Sequence, residues 1–150
     1  MAKNLAENKK AFFDYMPIET FEAGIVLNGY EVKSIKLGRA NLQGSFVVFK
    51  DEDPYLLNAS VPPYQPNNTP NSYNEKRTRK LLLNKSEIKH LIGKSAQKGL
   101  TLVPLRMYTK QGKIKIEIAI AKHKGKVDKR EVLKKRTTQK DIRRELKERG

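Results

Sequence analysis

The sequence has 150 residues and a formal net charge of +16, from 32 Lys and Arg against 16 Asp and Glu. This length fits one domain with an additional segment. The absence of cysteine excludes disulfides, cysteine metal sites and thiol chemistry. The positive charge predicts a polyanionic partner, and nucleic acid is the leading class because no amphipathic stretch pairs this charge with a broad apolar face. No apolar run approaches the length of a transmembrane helix or of a signal peptide, so we expect a cytoplasmic protein.

The N-terminal half carries the patterns of a strand, a short helix and a hairpin. Residues 21–27, "FEAGIVL", alternate apolar and polar side chains, which predicts a half-buried strand with Glu22 on the face opposite its apolar residues. Residues 31–39 predict a short helix that ends at a glycine. "SFVVFK" and "YLLNASV" flank "DEDP", which predicts a hairpin. The proline- and asparagine-rich residues 62–75 predict a loop.

The C-terminal half predicts one well-formed helix and one long hairpin. Asn84 and Glu87 have the spacing of a capping box, and Gly99 supplies a helix stop, so a helix is expected within 84–99. "LTLVPLRMYT" and "KIKIEIAIAK" flank "KQG", and Pro104 in the first of these strands predicts an edge or a bulge. The second strand should bury one face and expose Lys115 on the other; the predicted inward residues are Ile114, Ile116, Ile118 and Ile120.

These elements predict a mainly β fold. Five or six short strands with two helices fit a small closed antiparallel barrel, and an OB-like barrel is the best-known nucleic-acid-binding type. A β-sandwich fits as well, because periodicity does not distinguish the two. Residues 125–150 contain only five apolar side chains and no aromatic, and residues 121–150 carry a net charge of +8. We therefore expect a barrel of residues 1–124 and a basic tail of residues 125–150 that is disordered when the protein is free.

Catalytic chemistry has little support in this sequence. Asp51, Glu52 and Asp53 could hold Mg²⁺ in a nuclease, but their place in a hairpin turn favours a solvated turn. His90 and His123 have no Ser or Asp partner at a convincing spacing, and no Walker loop or HExxH motif occurs. We expect no catalytic residue, no metal and no cofactor. A nuclease remains the alternative, and Mg²⁺-dependent cleavage of RNA would reveal it.

The basic residues of "EKRTRK" are the clearest binding signal. If 77–83 is a strand, Arg77 and Arg79 point to one face roughly 7 Å apart. Two guanidinium groups at that spacing can engage successive phosphates, although a charged strand edge that only aids solubility is the alternative. Further phosphate-directed charge is present at Lys33, Lys36, Arg39, Lys113 and Lys115.

Glu22 is unusual on a chain that attracts anions. It is either an outward carboxylate without a role, or it accepts hydrogen bonds from a base edge or orients a nearby basic side chain. The pattern alone leaves these alternatives open.

Five motifs in order, from about residue 8 to 130, resemble the SsrA-binding protein family, also called small protein B. They are "NKKAFFDY", "FEAGIVLNGYEVKSIKLGRANLQGSFV", "RTRKLLLNKSEI", "KGLTLVPLRMY" and "DKR". The resemblance implies an OB-like barrel that is not an enzyme. It implies binding to the tRNA-like domain of transfer-messenger RNA and delivery of that RNA to stalled ribosomes for trans-translation, which tags the nascent chain for degradation. The implied partners are this RNA and the small-subunit decoding site and message channel, with no membrane, and the free protein is expected to be a monomer.

The resemblance also assigns residues by position. The expected RNA-binding set is Asn8, Glu22, Lys33, Arg77, Arg79, Lys80, Leu82, Asn84, Lys115 and Lys124. The tail is expected to become helical in the empty message channel, with Asp128, Lys129 and Arg130 at the decoding site and Lys134, Lys135, Arg136, Arg143 and Arg144 along the channel.

The sequence departs from the family at two places that matter. His123-Lys124-Gly125 stands where the family commonly has Gly-Lys-Lys, and Asn74-Glu75-Lys76 stands where it often has Asp-Pro. A general RNA-binding barrel with a basic extension remains a rival, because it makes no demand on the "DKR" motif.

Overall fold

The computed structural model describes residues 4–65, 67, 70 and 72–125. Its strands are β1 (Asn4–Glu7), β2 (Tyr15–Ile25), β3 (Phe46–Lys50), β4 (Asp53–Leu57), β5 (Arg79–Leu82), β6 (Leu100–Lys110) and β7 (Lys113–His123). Its helices are α1 (Lys9–Asp14), α2 (Gly29–Lys36) and α3 (Lys85–Ser95). Within these described ranges, no helix is long and apolar enough to cross a bilayer.

The strands form one antiparallel sheet in the order β1-β6-β7-β2-β5-β4-β3. The prediction of a mainly β, antiparallel fold with a few short helices is therefore confirmed. β1 and β3 stand at the two ends of this hydrogen-bonded order, so the closed form of the barrel stays a prediction.

Two tight turns fix the registers of the hairpins. Gln111 and Gly112 both have positive φ, 52° and 77°, and join β6 to β7 as a two-residue turn whose twist matches that of the strands. Asp51 and Glu52 also have positive φ, 51° and 68°, and join β3 to β4. The acidic cluster thus lies in and beside a turn, and its third member Asp53 lies 3.7 Å from Lys80. In the part of the chain that the structure describes, no three His, Asp or Glu side chains gather as a metal site would require.

Of the two alternatives predicted at Pro104, an edge or a bulge, the structure has the bulge. The pairing of β6 with β7 shifts between Pro104 and Arg106, so Leu105 is the extra residue, and β6 lies between β1 and β7 rather than at an edge. An apolar patch lies beside the bulge on the outside of the β6-β7 hairpin, and Ala11 of α1 packs against this patch. The other buried residues of this patch are Val103, Leu105, Ala119 and Ala121.

The main core lies on the opposite face of the sheet. The four isoleucines of β7 are buried there, as predicted: Ile114, Ile116, Ile118 and Ile120. Ile35 of α2 and Leu91 of α3 pack against the same core. Burial of each such side chain contributes about 1.5–3 kcal/mol to folding.

The helix boundaries follow from their caps. α2 begins two residues before the predicted start, because Asn28 accepts a hydrogen bond from the backbone N–H of Glu31 and Glu31 accepts one from the backbone of Asn28. The capping box of Asn84 and Glu87 is present as predicted, but α3 ends at Ser95, before the glycine. β5 is shorter than 77–83, and β2 begins six residues before 21.

Two elements had no sequence prediction. β1 and α1 have four and six residues, too short to show a period, and α1 is defined instead by its cap at Asn8.

Candidate nucleic-acid interface

Beyond the apolar patch that α1 covers, the outer face of the central sheet is polar, whereas the inner face is apolar. Gly24 pairs with Lys115 on one side and with Leu82 on the other, and Lys115 pairs with Tyr108. Glu22 lies in the next row, as the alternation of β2 predicted. We call this surface the outer face; its residues are Glu22, Gly24, Lys80, Leu82, Arg106, Tyr108, Lys110, Lys113, Lys115 and Glu117. Five of these side chains are basic and two are acidic, so the surface is cationic.

Glu22 has specific partners on the outer face. The Tyr108 hydroxyl donates to Oε2 of Glu22 at 2.5 Å, and Nζ of Lys110 lies 3.3 and 3.4 Å from its two oxygens. The hydrogen bond from Tyr108 lowers the pKa of Glu22; burial opposes this, and Lys110 and Lys115 lower the pKa further. The carboxylate therefore stays ionised, with an orientation set by Tyr108.

Tyr108 is a functional candidate that the sequence reasoning missed. Burial, followed by the hydrogen bond to Glu22 and its charge, raises the pKa of Tyr108, so its hydroxyl remains a donor. The guanidinium of Arg106 lies 5.9 Å from the centre of its ring. Tyr108 and Lys115 are equally distant from the Gln111-Gly112 turn, and that count could have placed them opposite each other.

Leu82 forms an exposed apolar site in the middle of these charges. Its side chain is 54% exposed, and it lies against Gly24, where an added Cβ would come within 3.2 Å of the Cβ of Leu82. The glycine thus permits Leu82 to lie close over β2, between Lys115 and the start of α3. An apolar side chain so placed can contact the face of a base or a ribose.

Lys80 and Asn84 flank this site. Lys80 is exposed on β5, two residues before Leu82, and pairs with Asp53. Asn84 is exposed, and its side-chain oxygen accepts from the backbone of Glu87 at 2.8 Å and from the hydroxyl of Ser86 at 2.8 Å. The cap fixes the orientation of this amide.

Arg79, which the resemblance assigned to RNA, is buried inside the fold. Its side chain is 0% exposed and forms an ion pair with Glu31, which is 1% exposed. Its guanidinium also donates to the backbone oxygens of Ala59, Glu75 and Arg77 at 2.9–3.0 Å. No donor of this side chain reaches the surface, so Arg79 holds α2 against the sheet.

Arg77 shares the face of Arg79, as predicted, and reaches the same carboxylate. Its Nη2 lies 2.5 Å from Oε1 of Glu31, but its side chain is 39% exposed. Burial works against ionisation of Glu31, but the hydrogen bond from Arg77, the cap at Asn28, and the charge and hydrogen bond of Arg79 outweigh it and hold the pKa of Glu31 below its usual range. Both arginines therefore form ion pairs with a buried carboxylate in the free protein.

Asn8 is another residue that the resemblance assigned to RNA. It is buried, its side-chain oxygen caps α1 at the N–H of Ala11, and its amide donates to the backbone oxygen of Pro104 at 2.9 Å. Both ends of the amide are used inside the fold, so Asn8 positions α1, and its contact with RNA stays a prediction.

Two other predicted basic residues lie apart from the outer face. Lys33 stands on α2, and its ammonium lies 5.5 Å from the centre of the Tyr64 ring. Lys124 donates to the backbone oxygen of Phe12 at 3.0 Å, and its own N–H bonds Asp14, so the chain leaves β7 against the end of α1. The eight residues predicted for the decoding site and the channel lie outside the described residues.

A β-sheet with a cationic face, an exposed leucine and an oriented carboxylate defines a protein of the nucleic-acid-binding class. The family described as SmpB protein matches residues 5–148. SsrA-binding proteins are similar along almost the whole chain: that of Sulfurihydrogenibium sp. is 51% identical over 96% of this chain and 91% of its own length. That of Trichormus variabilis is 48% identical over 97% and 94%.

A solved structure is similar as well. A chain from "tmRNA-SmpB: a journey to the center of the bacterial ribosome" aligns with a TM-score of 0.67 and 44% identity, over 80% of this chain and 84% of that one. The chain belongs to the SmpB family.

Proposed function

We propose that this chain binds the tRNA-like domain of transfer-messenger RNA through its outer face and delivers that RNA to stalled ribosomes for trans-translation. The observation that carries the proposal is family membership over nearly the full length, joined to a cationic sheet face. The protein acts by binding and has no chemical step of its own. Its partners are the RNA and the ribosome, which places its work in the cytoplasm.

The outer face offers both kinds of contact that RNA binding requires, charge for the phosphates and specific contacts for the nucleotides. Lys80, Lys110, Lys113 and Lys115 can neutralise phosphates and release counterions, which makes the affinity fall steeply with salt. Leu82 and Asn84 offer apolar and amide contacts to unpaired nucleotides, and Glu22 accepts hydrogen bonds. Asn8 and Arg79 would support this surface from inside, because both are buried and their polar atoms are bonded within the fold. Lys33, Arg77 and Lys124 remain as peripheral cations.

We propose further that the sheet curls into an OB-like barrel of residues 1–124. β3 approaches β6, and a cavity of about 330 Å³ separates Ser45 and Phe46 on β3's side from residues 101–103 on β6. Side chains rather than a hydrogen-bonded ladder would then close the barrel.

The basic segment 125–150 is proposed as the ribosome-directed part of a protein that is monomeric when free. Asp128, Lys129 and Arg130 would contact the decoding site, and Lys134, Lys135, Arg136, Arg143 and Arg144 would line the message channel. We propose that the segment becomes helical in the channel. A helix with cations on all sides suits a tunnel walled by RNA, because no apolar face is needed there.

The test separates RNA capture from ribosome rescue. A chain that ends at Lys126 should bind the tRNA-like RNA at near-normal strength in filter binding, yet fail to support tagging on stalled ribosomes. Lys115→Gln should weaken binding of this RNA and reduce the slope of affinity against salt by about 1. Lys50→Gln, on the edge strand β3, is the matched control and should leave both values unchanged.

Two results would favour the rival, a general RNA-binding barrel. One is a collapse of RNA affinity on truncation, which would make the tail an ordinary RNA arm. The other is equal binding of the tRNA-like domain and of unrelated RNA.

A further inference from the structure

The arrangement around Glu22 is more specific than binding of phosphate requires. Tyr108 and Lys110 come from β6, two strands away from β2, and both bond the same carboxylate. A negative charge at this place reduces the attraction for phosphate that the neighbouring lysines provide. A surface that served only phosphate would leave this position neutral or basic.

An ionised carboxylate accepts hydrogen bonds and donates none. Its ligands in RNA are therefore restricted to base N–H groups and the 2′-hydroxyl. Oε2 of Glu22 accepts from Tyr108, and Nζ of Lys110 lies 3.3 and 3.4 Å from the two oxygens. A carboxylate has about four acceptor positions, so one position on Oε1 stays open. The contacts of Lys110 are long and its side chain is 56% exposed, so a ligand with two donors can displace it and free a position on Oε2 as well. Because the hydroxyl of Tyr108 orients the group, these positions point in a fixed direction on an exposed surface.

Guanine is the base whose Watson–Crick edge presents two adjacent donors, N1–H and N2–H. Two parallel donors match two carboxylate oxygens in the way that a guanidinium does. Adenine and cytosine offer one amino group beside an acceptor nitrogen that a carboxylate repels, and uracil offers a single N–H between two carbonyls. Leu82 and Lys115, one row away, supply apolar contact and phosphate charge for the same nucleotide.

We propose that Glu22 reads the Watson–Crick edge of an unpaired guanine in the bound RNA and that Tyr108 is the positioning residue that sets its orientation. This inference rests on the proposed function for its biological target, but the selectivity itself is a property of the outer face. Tyr108 acts through Glu22 and has no contact of its own with the base.

The experiment uses the full chain and three short RNAs of equal charge, UUGUU, UUIUU and UUAUU, with fluorescence anisotropy as the readout. Inosine keeps N1–H and lacks the N2 amino group. UUGUU should bind roughly tenfold more tightly than UUIUU, because the loss of one hydrogen bond to a charged group costs about this factor. UUAUU should be weaker than both.

Variants locate the selectivity. Glu22→Gln should remove the preference for UUGUU over UUIUU, and Tyr108→Phe should reduce it severalfold while the affinity for UUAUU changes little. Tyr55→Phe on β4 is the matched control and should keep the wild-type ratio. A purely structural role of Tyr108 would lower all three affinities equally, and that result would overturn the proposal.

Equal binding of UUGUU and UUIUU by the unaltered chain would also overturn it. Binding of the tRNA-like RNA, measured in parallel, separates this failure from failure of the proposed function. Tight binding of that RNA without guanine preference would refute only the reading of guanine by Glu22. Guanine preference without binding of that RNA leaves the inference standing and removes the proposed function.

Discussion

Replacement of Arg79 by methionine tests whether this arginine serves the fold or the RNA. Methionine keeps most of the length and apolar character of the side chain but removes its charge and all of its donors. In the wild type, the guanidinium bonds the buried Glu31 and three backbone oxygens. The substitution therefore leaves a buried carboxylate short of one partner and three carbonyl groups short of a donor.

The expected loss of stability is large. Removal of one partner from a buried ion pair costs about 3–5 kcal/mol. Arg77 still bonds Glu31, which favours the lower end, while the three lost carbonyl bonds favour the upper end. For a domain of this size the loss corresponds to a fall in Tm of roughly 10–20 °C.

Urea denaturation followed by circular dichroism measures this loss, and Arg77→Met is the matched control. Arg77 bonds the same carboxylate, but its side chain is 39% exposed. Solvent screening limits its expected cost to about 1 kcal/mol or less. The salt dependence of RNA binding, measured well below the melting temperature, should be unchanged in Arg79→Met.

The opposite result would refute the reasoning. If Arg79→Met were as stable as the wild type and its salt slope fell by about 1, the arginine would contact phosphate, as the sequence alone suggested. The buried ion pair with Glu31 would then contribute nothing measurable to the stability of the fold.

Two further predictions concern the same supporting residues. The pKa of Glu31 lies below its usual value of 4.5, so the stability from its ionised form is fully present above that value and is lost as the pH falls through the lower pKa of the folded state. Glu31→Gln should therefore be less stable than the wild type at pH 7, and the gap should narrow below about pH 4.5; a gap that is constant between pH 7 and pH 3 in urea melts would contradict this. Asn8→Ala should lose about 1–3 kcal/mol of stability, because it removes the cap of α1 and the donor to Pro104. RNA affinity per folded molecule, measured by filter binding, should not change in that variant. A loss of affinity without a matching loss of folded protein would show that Asn8 contacts the RNA.

The local patterns of the sequence predicted much of the fold. Alternation along β7 identified its buried isoleucines, and a capping box identified the start of α3 at Asn84. Pro104 indicated an edge or a bulge, because proline cannot donate to a ladder, and the structure has the bulge. Each of these signals depends on neighbours within a few residues, so it can be recognised in the sequence without knowledge of the fold.

The short N-terminal elements were not predictable in this way. α1 has six residues, and its cap at Asn8 depends on contact with residue 104. The resemblance assigned Asn8 to RNA, but only the packing of α1 on β6 shows that its amide is used inside. A buried amide and an exposed one look the same in sequence.

The sequence by itself determined which residues share a face, because the period of a strand is two. It placed Arg77 with Arg79, and Glu22 opposite the core. Only the tertiary structure decided what covers each face: α2 brings Glu31 over the two arginines, and β6 brings Tyr108 to Glu22 from 86 positions away. Burial and hydrogen-bond partners depend on contacts between distant segments, which no local period encodes.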